Sequence, residues 1–190
     1  MLRSTARAVL ILLVATLAVP AVWATTAVER TESDMIQESA LIVTGHCTHL
    51  QSQWVGRTLV TLATIQVTEA LKGDPGATVT VALPGGVDSN RKIPVAMSYP
   101  AAPQIYPQED VLLFLVPEDL VAGSYSIAGF SQGKLTLATD AQGKKVATQD
   151  LSALNLQGRN GSLRRGAAKT IQLDELRQRI RQTPAAGRER

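Results

Sequence analysis

The sequence predicts a mainly β protein: a small antiparallel barrel of about six or seven short strands with a helix at its C-terminal end. Three observations carry this. Apolar and polar residues alternate through Ala63-Thr64-Ile65-Gln66-Val67 and again through Thr78 to Leu83, the period-2 signature of half-buried strands. Turn residues, Gly73-Asp74-Pro75-Gly76 foremost, separate such runs. Val111 to Val116 is continuously apolar between Asp110 and Pro117, too short for a buried helix and suited to a central strand covered on both faces.

Residues 1–24 read as an export signal. Arg3 and Arg7 form a cationic start and Ala8 to Val19 an apolar core, well short of the roughly 20 residues that a membrane span needs. Val22-Trp23-Ala24 puts small residues where a signal peptidase inspects them, so cleavage after Ala24 is expected, with a retained anchor as the alternative. The mature product is expected to be periplasmic or secreted, without a stable membrane anchor. Residues 25–40 form an N-terminal segment with a short helix, capped by Thr31 or Ser33, whose apolar side is Met35, Ile36 and Ala40.

The barrel is expected over residues 41–150. Its first strand runs from Leu41 to about Gln51. The second, Thr58 to Leu71, exceeds the usual strand length and should bend near Leu62, where Val60 and Leu62 occupy the face that later turns polar. Gly73 accepts a positive φ and Pro75 offers no donor, so the chain reverses there, with Lys72 and Asp74 as solvated shoulders. The third strand, Thr78 to Leu83, ends at Pro84-Gly85-Gly86, and a proline-rich connection from Val87 to Gln108 leads to the central strand. Tyr125 to Phe130 and Lys134 to Thr139 read as a hairpin across Ser131-Gln132-Gly133, and Lys144 to Thr148 returns across Asp140 to Gly143. The long, bending second strand favours a barrel over a sandwich.

After Asp150 the pattern dissolves, and residues 151–170 read as a flexible basic linker. Residues 171–190 form a C-terminal helix and tail. Leu173, Leu176 and Ile180 share one face, Asp174 and Glu175 occupy the first turn, Arg179 and Arg181 the last, and Pro184 is the stop. Charge is unevenly divided: residues 25–150 hold 8 basic against 13 acidic residues, and residues 151–190 hold 9 against 3. The basic segment either docks on the acidic body, meets an anionic surface or is a solvated tail. Cys47, the single cysteine, excludes an intramolecular disulfide, so the core alone must hold the domain. It occupies an inward position of the first strand and is expected to be a packing residue, with pairing to a second chain as the alternative.

Several of these residues resemble, in order, a family of small exported bacterial β-domains without assigned activity. The resemblance spans roughly residues 38–138 and rests on Ala40-Leu41-Ile42-Val43-Thr44-Gly45, Thr61 to Val67, Leu71-Lys72-Gly73, Pro84-Gly85-Gly86, Pro100 to Pro103, Glu109 to Leu115 and Gln132-Gly133-Lys134-Leu135. That family is similar in strand order to the OB-type barrels of netrin-like and tissue-inhibitor-of-metalloproteinase domains, which implies an OB-like barrel here. Those inhibitors act through an N-terminal cysteine, whereas the expected mature chain starts at Thr25 and its cysteine lies mid-strand, so that mechanism is not implied. Where the small-domain family places glycine before its glutamate, this chain has Gln108 before Glu109.

Residues with overt chemistry are few. His46, Cys47 and His49 are the candidate ligands for zinc or copper. Regular strand alternation puts His46 and His49 on opposite faces and Cys47 with His49, which leaves a site short of a third ligand. No cofactor is expected. No nucleophile elbow, triad frame or phosphate loop is present, and Glu109-Asp110 and Glu118-Asp119 read as solvated strand caps. An acidic barrel whose Phe114 belongs to the core argues against nucleic acid. Two functions are expected in consequence. One is a non-enzymatic binding module of the cell envelope that contacts a protein or glycan through the Val87 to Gln108 loop, with Ile93, Val95, Tyr99 and Tyr106 as contact residues. The other is a protease-inhibitor-like or metal-handling protein acting through the barrel rim or the His46 to His49 segment.

Overall fold

The computed structural model describes residues 25–183; the expected signal and Pro184 lie outside the described residues. Among these residues the elements are β1 (Thr25–Val28), α1 (Glu32–Glu38), β2 (Leu41–Val55), β3 (Thr58–Lys72), β4 (Thr78–Pro84), β5 (Gly86–Asp88), β6 (Val95–Met97), β7 (Asp110–Pro117), β8 (Tyr125–Ile127), β9 (Lys134–Thr139), β10 (Lys145–Asp150), β11 (Leu154–Gln157), β12 (Leu163–Arg165), β13 (Ala168–Gln172) and α2 (Leu173–Gln182). The protein is mainly β with a C-terminal helix.

The main sheet runs β13-β10-β9-β7-β2-β3-β4-β8, and β8 also pairs with β7. Strand β7 is central, as its apolar run requires. Its alternate residues feed two cores. Val111, Leu113 and Leu115 join Val43, Cys47, Ile65 and Val81 on one face. Leu112 and Phe114 join Ile42, Leu135, Met35 and Ile36 of α1, and Leu173, Leu176 and Ile180 of α2 on the other. Between Val111 and Leu115, where the strand is buried on both faces, no position is polar.

Helix α1 is capped by a box in which Thr31 Oγ1 accepts from the Asp34 N–H and Asp34 accepts from the Thr31 N–H. Ala40, expected on its apolar side, is exposed, and Ser39 is buried instead, its hydroxyl donating to the Met35 carbonyl at 2.6 Å. Lys72 is no solvated shoulder. Its ammonium donates to the Ile36 and Gln37 carbonyls at 2.5 and 3.2 Å, closing the C-terminal end of α1, and burial pushes its pKa down.

The irregularities of the long hairpin lie elsewhere than Leu62. The β3–β4 register is unbroken from Val60 to Gln66, whereas the β2–β3 register shifts between Ile42 and Val43, between Thr44 and Gly45, and between Cys47 and His49. Val60 is buried despite its face, beside a hollow that Ala82, Leu120 and Phe130 also line. The reversal at Gly73 is also wide rather than tight: β3 continues along β2 to Lys72, six residues past its last partner in β4.

Strands β8 and β9 do not form the expected hairpin. Both lie on the same side of β7, β9 along its first half and β8 along its second, while β8 runs parallel to β4 through Val81 and Tyr125. The turn between them crosses Phe114, whose N–H donates to the Gly133 carbonyl and whose carbonyl accepts from the Ala128 N–H, both at 2.9 Å. The β9–β10 hairpin forms as expected.

Residues 151–170 are not a flexible linker. Strand β11 lies between β1, to which it is parallel, and β12, and β13 pairs with β10. Leu154 and Leu156 are buried. The basic segment docks on the acidic body: Arg159 meets Asp34, Arg164 meets Glu29, Arg179 meets Glu32, and Arg177 and Arg181 both meet Glu69.

Candidate functional site

The Val87 to Gln108 connection contains the β5–β6 ribbon and is pinned at several points. Gly86 runs so close to β2 and β3 that a Cβ there would sit 2.5 Å from the Ser52 and Thr61 hydroxyls, and the Val87 N–H donates to Ser52 Oγ at 3.1 Å. Trp54 Nε1 donates to Asp88 at 2.7 Å, Arg91 donates to the same carboxylate oxygen at 2.8 Å, and the Arg91 guanidinium stacks 5.0 Å from the Trp54 ring centre. These donors, Trp54 first, hold the Asp88 carboxyl below its usual pKa. Farther on, Thr25 Oγ1 donates to the Pro100 carbonyl at 3.0 Å. Ile93 is 77% exposed and Tyr106 63%, Val87 and Tyr99 are exposed, and Val95 is half-buried.

The His46 to His49 segment is rearranged by a bulge at Thr48. Cys47 opposes Ile65, His49 opposes Thr64 and Leu50 opposes Ala63, so Cys47 and Leu50 face the core while His49 joins His46 on the outer face. The expected pairing of Cys47 with His49 is thus reversed. Cys47 is buried and free, and burial, the largest influence, raises its pKa, which leaves it a protonated packing residue. Both His46 ring nitrogens are engaged, Nδ1 with Asp110 Oδ1 at 2.8 Å and Nε2 with Gln108 Oε1 at 2.7 Å. These two contacts, Gln108 first, raise its pKa. Among the described residues no group of three or more His, Cys, Asp and Glu side chains is placed to hold a metal ion.

Glu109 is no solvated cap. Its side chain is 10% exposed. Oε1 accepts from Lys134 Nζ and Thr136 Oγ1, both at 2.6 Å, and Oε2 accepts from the Tyr106 N–H at 2.9 Å, while its carbonyl accepts from the Cys47 N–H. The carboxylate therefore ties the end of the loop to β9, and the backbone carbonyl of the same residue ties it to β2. Gln108 adopts φ +64°, the left-handed geometry that glycine takes without strain.

The Glu109–Lys134 pair lines a cleft of about 520 Å³ between the Ala101 to Tyr106 segment and the β9–β10 hairpin, with Thr136, Asp150 and Ser152 also at its surface. Asp150 is held below its usual pKa by Ser152. Sequence reasoning found the exposed loop but missed Glu109, Lys134, Thr136 and Asp150. The signal that could have found them is the Glu109 to Leu115 and Gly133-Lys134 pair of motifs, which strand pairing brings together. No helix among the described residues is long and apolar enough to cross a membrane. No family model, curated protein or solved structure matches the chain.

Proposed function

We propose that the chain is a non-enzymatic binding module of the cell envelope, exported through its first 24 residues, that contacts a protein or glycan through the Val87 to Gln108 loop. One observation carries this reading. Of the seven large apolar side chains exposed among the described residues, four belong to that loop: Val87, Ile93, Tyr99 and Tyr106. Such residues in one pinned segment supply contact area with little conformational entropy left to lose on binding. The scaffold beneath is read as an OB-like barrel, supported by the ring of pairings from β2 through β3, β4, β8 and β7 back to β2.

Partner capture from envelope extract tests the reading, with the intact mature chain, a variant in which Val87 to Gln108 is replaced by a short glycine-serine bridge, and Ile93→Asp. Loss of the same partners from both variants, with the fold retained by circular dichroism, is the expected result. If the bridge variant keeps every partner while His46→Ala with His49→Ala loses them, the protein acts through the His46 to His49 segment as an inhibitor-like or metal-handling protein and the loop reading falls.

A further inference from the structure

We propose that the cleft between the Ala101 to Tyr106 segment and the β9–β10 hairpin binds an N-acetylhexosamine unit of an envelope glycan, with Tyr106 as its stacking wall. This rests on the binding-module reading above and names the ligand class of one part of that surface. The size, shape and lining of the cleft argue for it. The volume of about 520 Å³ lies within the range of small-ligand sites. A pyranose ring has an apolar C–H face and a rim of hydroxyls, each both donor and acceptor. Tyr106, 63% exposed, offers a flat apolar wall for that face.

The polar lining suits the hydroxyl rim. Lys134 Nζ carries three protons and spends one on Glu109, and its side chain is only 16% exposed, so two donors are presented from a largely desolvated position. Thr136 gives its proton to Glu109 and keeps its lone pairs, and Asp150 adds a carboxylate acceptor. Charge then selects among sugars. Glu109 and Asp150 outweigh Lys134, so the lining disfavours carboxylated or phosphorylated saccharides. Ala102, Pro103 and Ala153 add apolar surface to the lining, which suits an acetamide methyl. Glu109 also fixes the wall to the floor, because its second oxygen holds the Tyr106 backbone. The cleft lies against β9 and β10, outside the ring formed by β2, β3, β4, β8 and β7.

Titration of the mature chain with N,N′-diacetylchitobiose, followed by amide resonance shifts, tests the proposal. Saturable shifts are expected at Tyr106, Lys134, Thr136 and Asp150. Tyr106→Ala should weaken binding about tenfold, the equivalent of about 1.4 kcal/mol, and Tyr106→Phe, which keeps the stacking face, should restore it. Absence of saturable shifts up to ~20 mM, where even millimolar affinity would register, overturns the proposal. So does equal binding by wild type and Tyr106→Ala, or binding of glucuronic acid as tight as that of the chitobiose. A loop-dependent protein partner recovered alongside a silent titration would retain the binding-module reading and remove only the saccharide site.

Discussion

At position 73, glycine is required by contact as well as by dihedral. Gly73 adopts φ +77°, and a Cβ there would lie 2.5 Å from the Ala40 carbonyl oxygen, on backbone that β7 holds through the Ala40 N–H to Leu115 carbonyl bond. Gly76 has a similar φ of +70° but open space around it. Gly73→Ala is therefore expected to cost more than about 2 kcal/mol, the left-handed strain plus a displaced strand end, and Gly76→Ala only about 1 kcal/mol. Urea unfolding of the two variants measures the difference; equal losses would remove the contact from the argument. His46 is the second residue whose neighbours decide its behaviour. Oxygen acceptors face both ring nitrogens, which favours the doubly protonated ring and raises its pKa, Gln108 contributing most and Asp110 next. Because the folded value lies above the unfolded one of about 6.5, the stabilisation is complete below about pH 6.5 and disappears as pH rises through the folded value. The Cε1 proton of His46 should titrate above the usual histidine range, and Gln108→Ala and Asp110→Asn should each lower that midpoint. A midpoint below the usual range would mean that the Gln108 amide is turned and presents its NH₂ group to a neutral ring.

Elements whose pattern is local were legible. Helix α2 buries the three residues that its spacing marks, and β3, β4, β7 and β9 lie within a residue or two of their expected spans. Strand β2 runs on to Val55 because Gly56, at φ +60°, closes the hairpin into β3, although Gln51 to Val55 show no clean alternation. Strands β1, β11, β12 and β13 were not legible. Each has only three to five residues, too few to stand out as a period even in β11, where Leu154 and Leu156 alternate with polar residues, and β1 finds its partner across the chain, Thr25 opposite Leu154. Such strands are held by their partners rather than by their own periodicity. Adjacency misled at β8 and β9, where short sequence separation favours a hairpin but β7 is long enough to take both strands end to end. At the candidate site the exposure of the loop could be read from composition. The burial of Glu109 could not, because a carboxylate at a strand end defaults to solvent, and Lys134 and Thr136 reach it only through the β7–β9 register. The Thr48 bulge inverted the histidine assignment for a similar reason, since one extra residue exchanges the faces of everything beyond it.

At the scale of the whole molecule, residues 151–183 are part of the fold rather than an appendage to it. They supply the sheet partner of β1, an outer strand beside β10, the cover over one of the two cores that flank β7, and a smaller cluster of their own, Leu151, Leu154 and Leu156. Leu173, Leu176 and Ile180 are each no more than 3% exposed. Burying three such side chains contributes roughly 5–9 kcal/mol, an upper estimate but comparable with the whole stability of an ordinary domain, about 5–15 kcal/mol. The ion pairs between the basic segment and Glu29, Glu32, Asp34 and Glu69 lie at the surface, where water and salt screen them, and add little beside this. Ending the chain after Asp150 should therefore abolish cooperative thermal unfolding and expose Met35, Ile36 and Leu135, read as binding of a hydrophobic dye. Leu176→Ala, which keeps every strand, should cost about 2–5 kcal/mol and lower the melting temperature while leaving the transition cooperative. A linker and tail would behave differently: truncation would leave the melting curve of residues 25–150 unchanged, and that result would sever the C-terminal segment from the fold.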